Sequence, residues 1–212
     1  MTRFETLERP WQRIFELEWQ SLCEGSKAIA AVITDPEGNI VSEGRNQTSE
    51  LNVHNPATAH AEAEAVRNLD TQKYDPRSCT LYAGLEPCVM CMGTLVMGRI
   101  RHVVIGARDD FGGAMKLIEL FEFSKRKGIN VVWTDNILGQ MQRAFQTLRE
   151  LLYNSDPDKL SRMLADFAVH DRQGVEAAQA LFSKGIFMER KPSEYTAREI
   201  FDALAERIEA AE

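Results

Sequence analysis

Up to residue 153, apolar positions recur with two different periods, and this pattern predicts short strands separated by helices. Runs with the length and apolar content of buried strands occur at residues 28–34, 40–44, 79–84, 102–107 and 130–133. Apolar positions at helical spacing predict helices over residues 10–23, 60–69, 88–97, 115–126 and 136–153. The first two strands should form a hairpin, because the segment DPEGN at 35–39 has strong turn chemistry. We therefore predict a three-layer α/β/α fold around a mixed five-stranded sheet.

Beyond Tyr153 the strand pattern ends and only helical periodicity follows. Residues 154–158 form a turn and helix cap, and helices are predicted over 158–169, 174–185 and 193–211, the last capped by Pro192-Ser193. We therefore divide the chain into an α/β domain, residues 1–153, and a helical C-terminal extension, residues 154–212. The apolar positions of the extension must pack on the α/β domain or on a partner subunit; they are Leu160, Met163, Leu164, Phe167, Phe182, Ile200, Phe201 and Leu204.

Composition narrows the possible partners. The 212 residues carry a net charge of −7 and no densely basic segment, whereas binding to a phosphate backbone needs clustered Lys and Arg. A small-molecule ligand is therefore favoured over a long nucleic acid, although the possibility of a local basic patch stays open.

No apolar run approaches the ~20 residues that span a bilayer. The N-terminal segment carries charges of both signs, unlike a signal peptide. We expect a cytoplasmic protein without membrane association.

The first candidate for chemistry is the pair Cys88 and Cys91. Pro87 suits the first turn of the predicted helix, so the two thiols would lie at positions i and i+3 on one face. The positive end of the helix favours thiolates there. In an intracellular chain such a pair indicates metal binding or redox chemistry. Taken alone, the cysteine pair leaves three interpretations open: a metal site, a redox dithiol and a chance pair in an apolar helix.

His60-Ala61-Glu62, at the start of another predicted helix, adds to that pair. At a helix N-terminus both His60 and Glu62 can reach a site beyond the helix end, and Ala61 offers its backbone N–H. One imidazole and two thiolates can hold zinc with a fourth position open for water. A carboxylate beside that water can move protons between it and a substrate. The combination predicts a catalytic zinc site.

The pattern His-x-Glu followed by Pro-Cys-x-x-Cys resembles the cytidine deaminase superfamily of zinc deaminases. Within it, the chain looks most like the branch of tRNA-adenosine deaminases, guanine deaminases and related nucleoside deaminases. The resemblance covers roughly residues 8–150 and is carried by the segments 44–46, 55–65, 80–93 and 104–109. It implies a cytidine deaminase-like fold and a Zn²⁺ cofactor. It also implies a homodimer, which is usual in that branch.

The resemblance further implies a role for each site residue. His60, Cys88 and Cys91 would hold zinc, and Glu62 would shuttle protons as the catalytic residue. Asn46 would form a hydrogen bond with the base, and the N–H of Ala61 would contact the edge of the ring. Glu86, Asp110 and Phe111 are further candidates for substrate contacts. Asp110 and Phe111 follow a strand on the side where α/β sites open, where an acid could read an amino edge and an aromatic ring could stack. Simple turn and loop roles stay open for these two.

Two departures from the family pattern bear on the substrate. The stretch between Asn46 and His60 is longer than in the tRNA deaminases, and the extension lacks a basic C-terminal helix. The favoured hypothesis is thus a zinc-dependent hydrolytic deaminase of a free nucleobase or nucleoside, a purine of the guanine, guanosine or adenine type, that releases ammonia. The alternative enzyme is a tRNA adenosine (wobble) deaminase. A zinc-stabilised interaction module is the non-enzymatic alternative, and a redox dithiol protein leaves His60 and Glu62 unexplained.

Overall fold

The structure is a computed structural model that describes residues 2–134 and 137–210. Its five strands are β1 (Ala30–Thr34), β2 (Ile40–Arg45), β3 (Thr80–Leu85), β4 (His102–Ala107) and β5 (Asn130–Trp133). They form one sheet in the order β2-β1-β3-β4-β5. β1 pairs antiparallel with both β2 and β3, whereas β3-β4 and β4-β5 are parallel. The predicted mixed five-stranded sheet is therefore confirmed.

The eight helices are α1 (Arg9–Cys23), α2 (Ala61–Asn68), α3 (Val89–Met97), α4 (Glu122–Lys125), α5 (Ile137–Tyr153), α6 (Pro157–Ser183), α7 (Ile186–Glu189) and α8 (Ala197–Glu209), within the described ranges. Short 3₁₀ turns at Phe4–Thr6, Pro56–Thr58, Met115–Glu119 and Pro192–Glu194 connect them. The predicted start of the fifth helix, residue 136, lies outside the described residues, as does residue 211.

Side chains on the two faces of the sheet pack against different helices. Ala31, Ile33 and Leu81 face α2 and α3 in one buried cluster. Ala30 and Val32 face α1 in another. Successive side chains of a strand point to opposite faces, so this division follows from the alternation of odd and even positions. The three-layer arrangement is confirmed, and the N-terminal ends of α2 and α3 meet at the edge of one layer.

Three predicted helices have different bounds from those expected. Residues 115–126 were predicted as one helix, but they form a 3₁₀ turn followed by the short α4, with Leu120 and Phe121 exposed between them. α3 begins at Val89 with Cys88 as its N-cap, so Pro87 precedes the helix and does not lie in its first turn. α8 is capped by Thr196, not by Pro192-Ser193, because the Thr196 side chain accepts a hydrogen bond from the Glu199 N–H in a capping box.

In the C-terminal extension, the two helices predicted over 158–169 and 174–185 are one kinked helix, α6. The kink is at Asp171, whose φ of −123° and ψ of 48° are not helical. Just beyond it, α6 passes α5 at Gly174, where a Cβ atom would lie 1.9 Å from the carbonyl oxygen of Gln140. The Gly174 N–H donates a 2.7 Å hydrogen bond to the Gln140 side chain. Glycine here allows the two helix backbones to approach closely.

The extension packs on the α/β part of the same chain. Ile200, Phe201 and Leu204 of α8 are fully buried in a cluster with Phe15 of α1 and Phe145 of α5. The ring of Phe201 meets that of Phe15 edge-on, with centroids 5.1 Å apart. Such aromatic pairs stabilise by about 0.5–1.5 kcal/mol beyond the area they bury. Among the described residues, no helix is both long enough and apolar enough to cross a lipid bilayer.

Candidate active site

His60 is placed by the start of α2. It is the N-cap of the helix, with φ −88° and ψ 147°, so its side chain lies beyond the helix end. The first turn of α2 packs tightly on β2: a Cβ on Gly44 would lie 2.2 Å from the carbonyl oxygen of Ala61. Ala61 is the first residue of α2, so its N–H has no acceptor within the helix. The His60 side chain and the Ala61 N–H are therefore both free to face a site at the helix end.

Cys88 and Cys91 occupy the equivalent end of α3, as N-cap residue and first-turn residue. The Cys88 and Cys91 sulfurs are 3.6 Å apart, and they lie 3.5 and 3.6 Å from Nδ1 of His60. Tetrahedral zinc, with Zn–S near 2.3 Å and Zn–N near 2.0 Å, requires ligand atoms about 3.5–3.8 Å apart. The three donor atoms of His60, Cys88 and Cys91 therefore form a triangle of the size that zinc requires, the zinc triangle. Among the described residues this group has three members, and their ligand atoms all lie within 4.8 Å of one another. Glu62 is not one of the three.

Glu62 stands beside this triangle and is almost fully buried, with 4% of its surface exposed. Its Oε2 lies 3.3 Å from the Cys91 sulfur. Burial raises the pKa of the Glu62 carboxyl above its usual range. A carboxylate with a raised pKa can both accept and return a proton near neutral pH, which is what general acid–base catalysis needs.

Metal binding should change the protonation states of the three ligand side chains. Hydrogen bonding with Cys91 lowers the pKa of the Cys88 thiol to about 3. Hydrogen bonding with Cys88, together with burial, raises the pKa of the Cys91 thiol. Hydrogen bonding with Cys88 also raises the pKa of His60. Zinc takes both cysteines as thiolates and the histidine as neutral imidazole, so its binding releases protons from this cluster.

A cavity of about 750 Å³ opens onto the triangle. Of the residues singled out from the sequence, Asn46, His60, Glu62, Glu86, Cys88, Asp110 and Phe111 line it. Asn46 is buried, and its Oδ1 accepts hydrogen bonds from the N–H and the hydroxyl of Thr48. Its amide nitrogen is therefore the group available to a ligand.

The other three sequence candidates differ in what holds them. Both carboxylate oxygens of Glu86 accept backbone N–H groups 3.2 Å away, one from Asp109 and one from Met115, so Glu86 ties down the loop after β4. Asp110 is paired with His170 of α6 at 2.7 Å. Phe111 is 92% exposed at the cavity mouth.

Sequence reasoning missed the residues that α5 and α6 contribute to the cavity. Arg143 of α5 is buried, with its guanidinium 3.7 Å from both Asp109 and Asp171. It also stacks on the ring of Phe167 of α6, 4.7 Å from the centroid. Met163 and Phe167, predicted as packing positions, line the cavity instead. No local pattern shows this, because α6 reaches the site only through its packing on α5.

Three comparisons place these observations among known proteins. Residues 5–107 match the family model of the cytidine and deoxycytidylate deaminase zinc-binding region. A tRNA-specific adenosine deaminase of Haemophilus influenzae is 37% identical over 115 residues, which are 53% of this chain and 65% of that protein. A probable cytosine deaminase of Schizosaccharomyces pombe is 31% identical over 91 residues, 43% of this chain and 54% of that protein. The chain thus spans less than two thirds of the length of either relative.

A solved structure of guanine deaminase from Nitrosomonas europaea superposes with a TM-score of 0.53 at 20% identity, over 68% of this chain and 86% of that chain. At this identity the likeness concerns the fold alone, and it agrees with the cytidine deaminase-like arrangement of sheet and helices. The zinc ligand set predicted from the sequence fits both the matched region and the triangle of donor atoms.

Proposed function

We propose that this chain, whose residues 5–107 match the model of the cytidine and deoxycytidylate deaminase zinc-binding region, removes an amino group from a nucleobase by hydrolysis. The observation that carries the proposal is the triangle of His60, Cys88 and Cys91 with the buried Glu62 beside it, at the end of a cavity. Three protein ligands leave one position open, as in catalytic zinc sites, whereas structural sites close with four.

The chain's own residues divide the chemistry. Zinc, when bound, supplies Lewis-acid activation of water. Glu62 would accept one proton from the attacking water and deliver it to the ring nitrogen. It would then accept the second proton from the hydroxyl group added to the carbon and deliver it to the leaving amine. Water adds to the carbon that bears the amino group, the C–N bond breaks, and the products are a keto group and ammonia. The amide nitrogen of Asn46 and the N–H of Ala61 would orient the ring through hydrogen bonds.

The proposed substrate is a small molecule that contains an aminated purine. The chain's net charge of −7 supports a small substrate, since it offers no extended basic surface to a nucleic acid. The cavity wall contributed by α6 supports it too, because Met163 and Phe167 add apolar surface to the lining of the cavity.

A second candidate is deamination of adenosine in tRNA. It is favoured by the 37% identity with a tRNA-specific adenosine deaminase. Tight tRNA binding with a steep dependence on salt concentration would support this candidate, because each phosphate contact releases counterions.

We also propose that the protein is a homodimer in the cytoplasm. Apolar side chains on the outer face of α3, Val89 and Met97, are 62% and 71% exposed, and Leu120 and Phe121 nearby in the fold are also exposed. Exposed apolar groups of this kind favour an interface. Sedimentation equilibrium of the zinc-loaded protein tests the dimer, and a monomer at micromolar concentration would contradict it.

The test of the activity is ammonia release from a panel of bases, nucleosides and nucleotides by zinc-loaded protein. Glu62→Gln should bind zinc normally and lose about 10²–10⁴-fold in turnover, the usual contribution of a general acid–base group. Glu64→Gln is the matched control: it lies on the same helix, pairs with Arg67 and does not line the cavity. Zinc-loaded protein that releases no ammonia from any compound would favour the interaction module instead.

A further inference from the structure

The cavity is larger than a nucleobase needs. Its volume of about 750 Å³ lies in the upper part of the roughly 300–1,000 Å³ range that encloses drug-sized ligands. A free base held between the zinc triangle and Asn46 would fill only the inner end. The outer part is walled by the first half of α6, which lies outside the region matched by the family model.

One face of α6 forms this outer wall. Lys159, Arg162, Met163, Asp166 and Phe167 all line the cavity. Their spacing of three and four residues places them on one side of the helix. Two contacts hold this face in place: His170 pairs with Asp110, and Phe167 stacks on Arg143. The apolar residues of the face lie between its basic N-terminal turn and the kink at Asp171.

The acidic residues that line the cavity have partners of their own. Asp109 forms an ion pair with Arg143, and Glu150 forms one with Arg149. Asp110 lies 2.7 Å from the ring of His170. Glu86 accepts two backbone N–H groups.

Lys27, Lys159 and Arg162, by contrast, take part in no ion pair within the described part of the chain, and all three are exposed at the cavity. Lys27 and His60 line the same cavity. Asp166 is the one unpaired acid on this face of α6 among the described residues.

We infer that Lys27, Lys159 and Arg162 bind the phosphate of the substrate, and that the substrate is a nucleoside monophosphate. Paired cationic side chains are the usual partners of phosphate oxygens. The inference rests on the proposed deaminase function and names its substrate class. Asp166, next to the cations on the same face, would accept hydrogen bonds from the ribose hydroxyls, and Met163 and Phe167 would pack against the sugar.

A mononucleotide fits these cations better than a polynucleotide does. Neutralising a nucleic acid backbone takes about 6–10 phosphate contacts in a typical specific complex. The three cations line a single cavity, on a chain with a net charge of −7.

The experiment compares base, nucleoside and 5′-monophosphate of adenine, guanine and cytosine as substrates of the zinc-loaded protein. For the base that is deaminated, kcat/KM should be about tenfold or more higher for the monophosphate than for the nucleoside, because charge-assisted hydrogen bonds to the phosphate add binding energy. The double variant Lys159→Gln/Arg162→Gln should remove this preference, so that kcat/KM for the monophosphate falls about tenfold or more, to the value for the nucleoside.

The matched control is Arg172→Gln/Lys184→Gln, which removes the same charge from an exposed position of α6 and from its exposed C-cap residue, neither of which lines this cavity. It should keep the preference for the monophosphate. Equal kcat/KM for nucleoside and monophosphate, unchanged in the double variant, would overturn the phosphate site while leaving the deaminase function standing. Turnover of a tRNA anticodon stem-loop in place of the monophosphates, weakened by the double variant, would assign the same cations to a nucleic acid and overturn the mononucleotide.

A binding measurement separates failure of the site from failure of the chemistry. Calorimetry with zinc-loaded Glu62→Gln protein should show the monophosphate binding about tenfold or more tightly than the nucleoside. This holds whether or not any compound is turned over. Equal affinities would contradict the phosphate site directly.

Discussion

The zinc triangle and α6 wall the same cavity, yet they are encoded very differently. The triangle comes from His60, Cys88 and Cys91, two of them three residues apart and all at helix starts. The wall of α6 depends on a helix that follows the family region and reaches the cavity by packing on α5 at Gly174. Chemistry restricts the first set to a few residue types at short spacing. The second needs only shape and charge, which many sequences can supply. The proposed reaction therefore rests on residues that the sequence identifies, whereas the proposed substrate class rests on tertiary packing.

Loss of a metal ligand should produce the largest effect and test the first half of this comparison. Cys91→Ser should abolish stoichiometric zinc binding, because serine is a poor ligand for zinc at neutral pH. Ammonia release should fall by more than the roughly 10–100-fold that loss of an outer partner of a metal ligand costs. Metal analysis and the deamination assay measure both. Cys23→Ser, the same change at a half-buried cysteine away from the triangle, should keep both zinc and activity. Full zinc occupancy in the Cys91 variant would refute the ligand assignment.

The packing of α6 on α5 can be broken without touching the triangle. In Gly174→Ala the new Cβ would lie 1.9 Å from the Gln140 carbonyl oxygen, so one helix must move. We expect a loss of about 1–3 kcal/mol in the free energy of unfolding, typical of overpacking, and a raised KM with zinc still bound. Urea denaturation and steady-state kinetics measure these changes.

Gly93→Ala provides the matched control, because nothing lies within 4 Å of its Cβ position inside α3. That variant should gain up to about 0.5–1 kcal/mol, since alanine is the better helix former. Equal behaviour of the two variants would mean that α6 does not depend on this close approach.

Two aromatic residues of the cavity can be compared: Phe111, which was singled out from the sequence, and Phe167, whose place in the cavity wall is known only from the structure. Phe111 is 92% exposed, so Phe111→Ala should change the free energy of unfolding by no more than about 0.5 kcal/mol. Phe167 is half-buried and stacks on Arg143. Phe167→Ala should destabilise by about 1–2 kcal/mol, from lost packing and a lost cation–π contact, and should raise KM. Thermal unfolding and kinetics on the same preparations decide which ring is part of the wall.

Much of the fold follows from periodicity and turn chemistry, and the errors have physical causes. Five strands are as predicted, and the three central ones, β1, β3 and β4, are largely buried, as their apolar runs require. The helix predicted over 115–126 failed, since its apolar positions pack on α3 only as far as Ile118, and the chain then turns outward at the exposed Phe121. The cap of α8 was misplaced because Pro192-Ser193 and Thr196 both have capping chemistry, and only Thr196 is followed three residues later by a glutamate that completes the box.

At the site, residue type and spacing were sufficient to predict that His60, Cys88, Cys91 and Glu62 lie together, and their roles stay predictions. Residue type and spacing were not sufficient for Arg143, Lys159 or Arg162. A basic residue on a helix is most often a solvated surface group, and nothing in the local sequence tells which helix face will meet the cavity. The roles of Glu86, Asp110 and Phe111 stay predictions, with Glu86 already engaged by the loop that it holds.

The last and smallest expected effect concerns Glu18. This residue is a buried acid within the region matched by the family model, and the proposed zinc chemistry does not use it. It lies in α1 with 0% exposure, and neither carboxyl oxygen completes a hydrogen bond among the described residues. Burial raises the pKa of Glu18 well above its usual range, and only the backbone N–H of Ala30 favours the charged form. A Cβ on Gly84 would lie 2.2 Å from its Oε1, so the sheet crosses directly over the carboxyl.

Replacement of Glu18 by glutamine should stabilise the protein at neutral and high pH. In the unfolded chain Glu18 ionises near its ordinary pKa of about 4.3, whereas the folded protein keeps it protonated to a higher pH. The folded state therefore holds one more proton over the pH range between these two values. Because of this, stability falls by about 1.4 kcal/mol per pH unit as the pH rises from the unfolded pKa towards the folded one. Glu18→Gln lacks this loss, so its advantage should be small near pH 4 and about 1 kcal/mol or more at pH 8. Urea denaturation at pH 5, 6.5 and 8 measures how the stability difference between Glu18→Gln and wild type depends on pH.

Glu16→Gln is the control, because it removes a partly exposed partner of Arg13 on the same helix. It should change the free energy of unfolding by at most about 1 kcal/mol. A Glu18→Gln variant that is less stable than the wild type at every pH would mean that the carboxylate is charged in the fold and satisfied there.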